Sequence, residues 1–127
     1  MNRAIVLIGI GGLLGSVSRY LVAGFFTRMF PAAFPYGTFI VNITGCFLIG
    51  IFYGLSQRYS WFTPAWTVFL TTGFCGGYTT FSSFAYEQIS LLEASAYGTF
   101  ILYSTISLVT GLLAVLGGLT LVKTFTS

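Results

Sequence analysis

TTGFCGGYTTFSSF, residues Thr71 to Phe84, sets three glycines, six serine or threonine side chains and three phenylalanines into fourteen residues of a very apolar chain. Glycine costs a helix about 1 kcal/mol relative to alanine, and serine and threonine compete for helical backbone hydrogen bonds. A segment that only had to cross oil would not be written this way. Gly73, Gly76 and Gly77 lower the cost of interrupting a helix, and an interruption frees carbonyls at the end of one half-helix and amides at the start of the next. Such backbone is tolerated at membrane depth only where it is buried in protein or faces a water-filled cavity. The stretch predicts a helix broken at its middle, with a site at the break.

The surrounding chain supplies the membrane context. Of its 127 residues 56% are hydrophobic and 6% charged, against roughly 25% charged in soluble domains. A span needs about 20 predominantly apolar residues to cross a hydrocarbon core of roughly 30 Å. Four segments qualify: residues 4–27, 37–56, 64–92 and 96–122. Turn residues and charges separate them, namely Arg28, Pro31 and Pro35, then Gln57, Arg58, Ser60 and Pro64, then a tight turn at Glu93, Ala94 and Ser95. Their length, and the lack of strict alternation, favour helices over barrel strands, and the short connections make neighbours antiparallel. The expected fold is an all-α membrane protein, a single four-span domain over residues 1–127. Arg3 before an apolar run and the Ser16-Val17-Ser18 stretch resemble a secretory signal. Apolar character resumes after Arg19, however, so the first segment is read as a span.

Four spans put Arg3, Arg58 and Lys123 on one side and Arg28, with Arg19 nearer to it, on the other. Lysine and arginine in short loops set orientation, and so slight an asymmetry is compatible with insertion both ways. An inverted pair of chains would then have a two-fold axis in the membrane plane, as larger transporters achieve with inverted repeats. Gly11 with Gly15, Gly50 with Gly54 and Ala114 with Gly118 are small-xxx-small pairs that let helix backbones approach closely.

Several polar residues need partners or a function. Arg19 lies deep in the first span and either snorkels to the interface or forms an electropositive vestibule for anions; Glu87, near the end of the third, pairs with it or reaches water. Asn42 must either glue helices together or line a pore with its donors. Tyr103, Ser107, Thr110 and Gly111 share one face of the fourth span. Phe81 and Phe84, three residues apart, share a face if helix resumes after Thr79 and Thr80. Two phenylalanines are ordinary core residues, but their positive edges, turned into a pore, can hold a small anion without a fixed charge that would trap it.

GFCGGYTTFSSF, with GGLLGSVSRY in the first span and YGTFIVNITGCFLIG in the second, resembles the Fluc (CrcB) fluoride channels over essentially the whole chain. The resemblance implies an antiparallel, dual-topology homodimer in the cell (inner) membrane, with two fluoride pores and a central structural sodium ion. By position it implies that Phe81 and Phe84 form an aromatic box, that Asn42 is the pore amide, and that Tyr103 and Ser107, with Thr80 and Ser83, contribute a polar track. It implies sodium binding by the carbonyls of Gly76 and Thr79 from both subunits, and it places Arg19 and Glu87 at the family's vestibule charges. Where relatives carry a serine one turn after Ser107, this chain has Thr110 and Gly111, and the hydroxyl pair after Phe81 reads Ser82 and Ser83.

The expected activity is passive, fluoride-selective conduction driven by the membrane potential, relieving a cell of accumulated fluoride. With no histidine, no aspartate and two glutamates, the chain lacks material for a catalytic triad or a zinc site, and no enzyme or nucleic-acid partner is expected. A proton-coupled small multidrug transporter, also a short dual-topology dimer, would need a carboxylate in the first span, which has none. A non-transporting assembly subunit would leave the broken third helix without a purpose.

Overall fold

A computed structural model describes residues 2–126. Three helices are long and apolar enough to cross a membrane: α1 (Asn2–Met29), α2 (Tyr36–Arg58) and, last in the chain, Tyr97–Thr126. Between the last two lies an interrupted helical segment. It comprises α3 (Pro64–Thr67), a π-wound stretch (Val68–Cys75), α4 (Gly76–Tyr78) and α5 (Phe81–Glu93), so the terminal helix is α6. No strand occurs among the described residues. The three long helices begin and end within a few residues of the expected first, second and fourth segments.

Local chemistry fixes the ends. Pro64 occupies the first helical position after an extended Thr63, where its missing N–H costs nothing. At the C-terminus of α5, Ser95 takes a left-handed φ of 59°. Its N–H bonds the Leu92 carbonyl at 3.0 Å, and the Ala96 N–H bonds that of Leu91 at 2.8 Å. Together these close the Schellman turn that usually carries glycine.

Arg58 and Thr126 border one cavity, whereas Phe30 to Tyr36 and Ala94 border another. The long helices therefore run up and down between two ends, and residues 64–93 connect one end to the other. Helix α2 is central. Its Gly50 meets the Val115 carbonyl and Gly118 of α6, its Gly54 meets Val122, and its Gly37 meets Ala23 and Thr27 of α1.

The glycines of the opening stretch do not make the break. Gly73 and Gly77 adopt helical backbone and lie against Gly11 and Gly12 of α1, so close that an added Cβ on Gly77 would meet the Gly12 carbonyl oxygen at 2.6 Å. Gly15 likewise faces the Phe74 carbonyl. The chain opens instead at Thr79 and Thr80, both extended, with ψ of 158° and 121°. Much of the outer surface of α1 and α6 is apolar and exposed, including Leu13, Val17, Leu21, Leu112 and Leu116, as lipid contact requires.

Candidate functional site

Asn42, one helical turn after Thr38 on α2, holds the break open. Its Nδ2 donates to the Thr80 carbonyl at 3.0 Å, and its Oδ1 accepts from the Thr80 N–H at 2.8 Å. In an unbroken helix that N–H would return to the Gly76 carbonyl, so the diversion leaves Gly76 O without its i+4 donor. Helix α5 then restarts with Thr80 as N-cap, its hydroxyl accepting from the Ser83 N–H at 3.2 Å. The Gly77 carbonyl, also beside the break, accepts from Arg19 Nε at 3.1 Å.

A groove of about 550 Å³ opens beside this clasp. Its wall carries Asn42, Thr79 and Thr80, the rings of Phe81 and Phe84, and Ser104 and Ser107 of α6, and no charged residue lines it. Phe81 and Phe84 have ring centroids 5.9 Å apart, with their planes inclined at 36°. The groove thus brings amide and hydroxyl groups together with two aromatic rings in an otherwise apolar trough.

Arg19, Thr38, Thr80, Ser83 and Glu87 line a neighbouring cavity of about 300 Å³. Arg19 and Glu87 share this space but not a bond. Glu87 Oε2 accepts from the Thr38 hydroxyl at 2.7 Å, and Oε1 accepts from the Tyr103 hydroxyl at 2.9 Å. Of the two alternatives for Glu87, pairing with Arg19 or reaching water, the pairing is not made: hydroxyls hold the acid and a backbone carbonyl holds the guanidinium, and both groups border the one cavity.

Tyr103 therefore does not border the groove directly. It is fully buried behind Phe84, with ring centroids 4.8 Å apart. Thr110 bonds back to the Ile106 carbonyl of its own helix, and Gly111 is buried near Cys46. Gly76 is exposed at the surface of the chain and Thr79 is half-buried. Thr38 and Ser104 were not singled out from sequence. The signal for Thr38 was a hydroxyl four residues before Asn42, on the same helix face; Ser104 is hidden beside a Tyr103 that draws the eye.

The residues assembled at the break, the groove and the cavity all fall within a match to the family described as CrcB-like protein, Camphor Resistance (CrcB), which spans residues 6–119. The chain belongs to the CrcB family. Similar proteins of this family include the fluoride-specific ion channel FluC of Azobacteroides pseudotrichonymphae, 45% identical over 125 residues, covering 98% of this chain and 100% of that protein. FluC of Bacteroides fragilis is 50% identical over 119 residues, 91% of this chain and 93% of its own length. FluC of Leptospira interrogans is 39% identical over 124 residues, 98% of each. With its span-length apolar helices, this CrcB chain is a multi-pass membrane protein.

Proposed function

We infer that this CrcB protein is a fluoride-specific ion channel, not an enzyme, and that fluoride crosses it through the groove beside the Thr79–Thr80 break. The names of its full-length relatives support the ion. The observation that carries the site is the uncharged groove wall, where Asn42, the Ser107 hydroxyl and the Phe81 and Phe84 rings converge, while Ser104 on the same wall gives its proton to the Phe100 carbonyl. A fluoride ion gives up hydration only to closely spaced donors, and the positive rims of aromatic rings add attraction of the same sign. Conduction needs binding strong enough for entry and weak enough for exit, which a fixed positive charge in the wall would prevent. Arg19, in the adjoining cavity, attracts anions toward the mouth without standing in the path. No coupling carboxylate lies in α1, so the flow is passive and follows the membrane potential.

The whole chain is read as one four-span domain, with residues 64–93 as the interrupted third span. Two antiparallel copies would form the channel. Phe81 is 79% exposed in the single chain although it borders the groove, which leaves a wall for a second copy to supply. Sodium is read as the structural ion of that dimer. The residues fit it: Gly76 O lacks its helical donor because Thr80 N–H goes to Asn42, Thr79 is extended at the break, and carbonyl oxygens at an unwound helix suit Na⁺. Gly76 and Thr79 of each copy would hold the ion, and its charge would offset the carbonyl dipoles gathered there.

Liposomes containing the purified protein, loaded with fluoride or chloride and followed with ion-selective electrodes, test the reading. Rapid fluoride efflux with chloride retained is the expected outcome. Fluoride held as tightly as by protein-free vesicles, from a verified folded assembly, overturns it.

A further inference from the structure

The groove accounts for Phe81 and Phe84 but not for the aromatic row that continues behind them. Tyr103 stands between Phe84, 4.8 Å away by ring centroids, and Phe34, 5.1 Å away with its plane at 67° to the tyrosine ring. Phe34 belongs to the connection between α1 and α2 and is only half-buried in the chain. Its own position is held on three counts. Tyr36 and Phe39 press on its ring at 4.9 and 5.5 Å, the Tyr36 N–H bonds its carbonyl at 2.9 Å, and the following Pro35 has a restricted φ, here −79°.

The same short stretch of chain also reaches the polar end of Tyr103. Thr38, in the first turn of α2, donates to one oxygen of Glu87, and the Tyr103 hydroxyl donates to the other. Residues 34–38 therefore grip Tyr103 twice, at the ring through Phe34 and at the hydroxyl through Thr38 and Glu87. Tyr103 is completely buried, so it cannot retreat from Phe84 unless Phe34 yields. Phe34 borders the cavity at the loop end and Phe84 borders the groove, but Tyr103 between them is enclosed, and around an enclosed ring there is little empty volume to absorb a displacement.

We propose that Phe34 is a positioning residue for conduction: it wedges Tyr103 against Phe84 and so fixes the angle at which the Phe84 ring meets the groove. Phe34 touches no ion. It acts through two rings, and what it requires is the flat edge-to-face contact of an aromatic group, not bulk alone. A leucine of similar volume fills the space without that contact and leaves the Tyr103 ring free to tilt. A tyrosine keeps it.

The inference rests on the channel reading for its functional arm, and a second measurement separates the two. Phe34→Leu, Phe34→Ala and Phe34→Tyr are reconstituted beside wild type, with Phe52→Ala, a ring paired with Phe62 at the opposite end of the bundle, as control. Fluoride efflux per assembled channel is expected to fall about tenfold in Phe34→Leu and Phe34→Ala, the effect of one lost ring contact. Phe34→Tyr and Phe52→Ala are expected to stay near wild type. In parallel, 3-fluorotyrosine placed at position 103 reports its surroundings by fluorine NMR: its resonance is expected to shift in Phe34→Leu and to return in Phe34→Tyr. If Phe34→Ala does not assemble, the leucine variant carries the comparison. Wild-type efflux from Phe34→Leu, or an unmoved resonance in it, overturns the proposal. Should wild type itself fail to conduct, the channel reading falls, and the resonance alone decides whether Phe34 sets Tyr103.

Discussion

Asn42 shows how one side chain serves two purposes that sequence presents as alternatives. Its carboxamide satisfies both backbone groups of Thr80 and also borders the groove, so gluing the break and lining the proposed path would be one task. Asn42→Asp keeps the acceptor for the Thr80 N–H but loses the donor to the Thr80 carbonyl, and sets a negative oxygen against that carbonyl and against any arriving anion. We expect it to suppress fluoride efflux and to lower stability by about 1 kcal/mol, the cost of stranding a part-buried polar group, visible as a lower melting midpoint in detergent. Phe81 offers the contrasting case. Its ring is 79% exposed in the chain and contributes little to the chain's own packing, so Phe81→Ile is expected to suppress efflux while the helical content by circular dichroism stays where it was. Efflux that survives both substitutions would detach the groove from conduction. The identity of these residues was legible in sequence because an amide and paired phenylalanines are conspicuous in so apolar a chain. What the amide bonds to was not: Thr80 lies 38 positions away, and no local pattern encodes that meeting. Phe34 was silent for the same reason, being one more phenylalanine until Tyr103 stands beside it.

The elements divide along a similar line. Helix positions follow from span length and turn chemistry, and an interruption from the helix-weakening residues gathered in the opening stretch, though not its place at Thr79 and Thr80. The role of the glycines does not, since loosening a helix and admitting a neighbour call for the same residue. Their partners decide it: Gly73 and Gly77 are filled by the backbone of α1, and Gly11 and Gly15 by residues 69–78 in return. The π-wound stretch Val68–Cys75 lies within this contact. Its wider turns left no mark in the hydrophobic pattern, and such turns often accompany functional sites. The packing makes a sharp prediction about small changes. Gly15→Ala drives a methyl group into the Phe74 carbonyl, where backbone on both sides cannot give, and we expect a loss of about 1–3 kcal/mol. Gly98→Ala meets nothing within 4 Å and lies near the start of α6, so it should be neutral or stabilising by up to about 1 kcal/mol. Circular dichroism melts of the two variants in one detergent make the comparison. Equal melting points would mean that the α1 contact is looser than the backbone approach indicates.

At the scale of the whole molecule the scarcity of charge becomes a mechanism for assembly. Arg58 borders the cavity at one end of the bundle, and the loop at residues 30–35 borders the cavity at the other. With only five lysines and arginines in the chain, the bias that fixes topology is slight, which is compatible with insertion both ways. On the proposed reading, insertion both ways would yield partners for an antiparallel pair, in which each groove would receive the wall that a single chain lacks. The reading can be tested by forcing the choice. Ala32→Lys with Ala33→Lys, both at exposed positions, should hold the 30–35 loop in the cytoplasm. Gln57→Lys with Ser60→Lys, exposed at the opposite end, should hold the other. Each double variant expressed alone then populates one orientation and is expected to lose most of its fluoride efflux, measured in membrane vesicles from cells without another fluoride exporter. Co-expression supplies opposed partners and is expected to restore it, although no residue of the groove has changed in any of these chains. A parallel assembly, or a channel complete within one chain, predicts the reverse: each variant conducts alone, and mixing adds nothing.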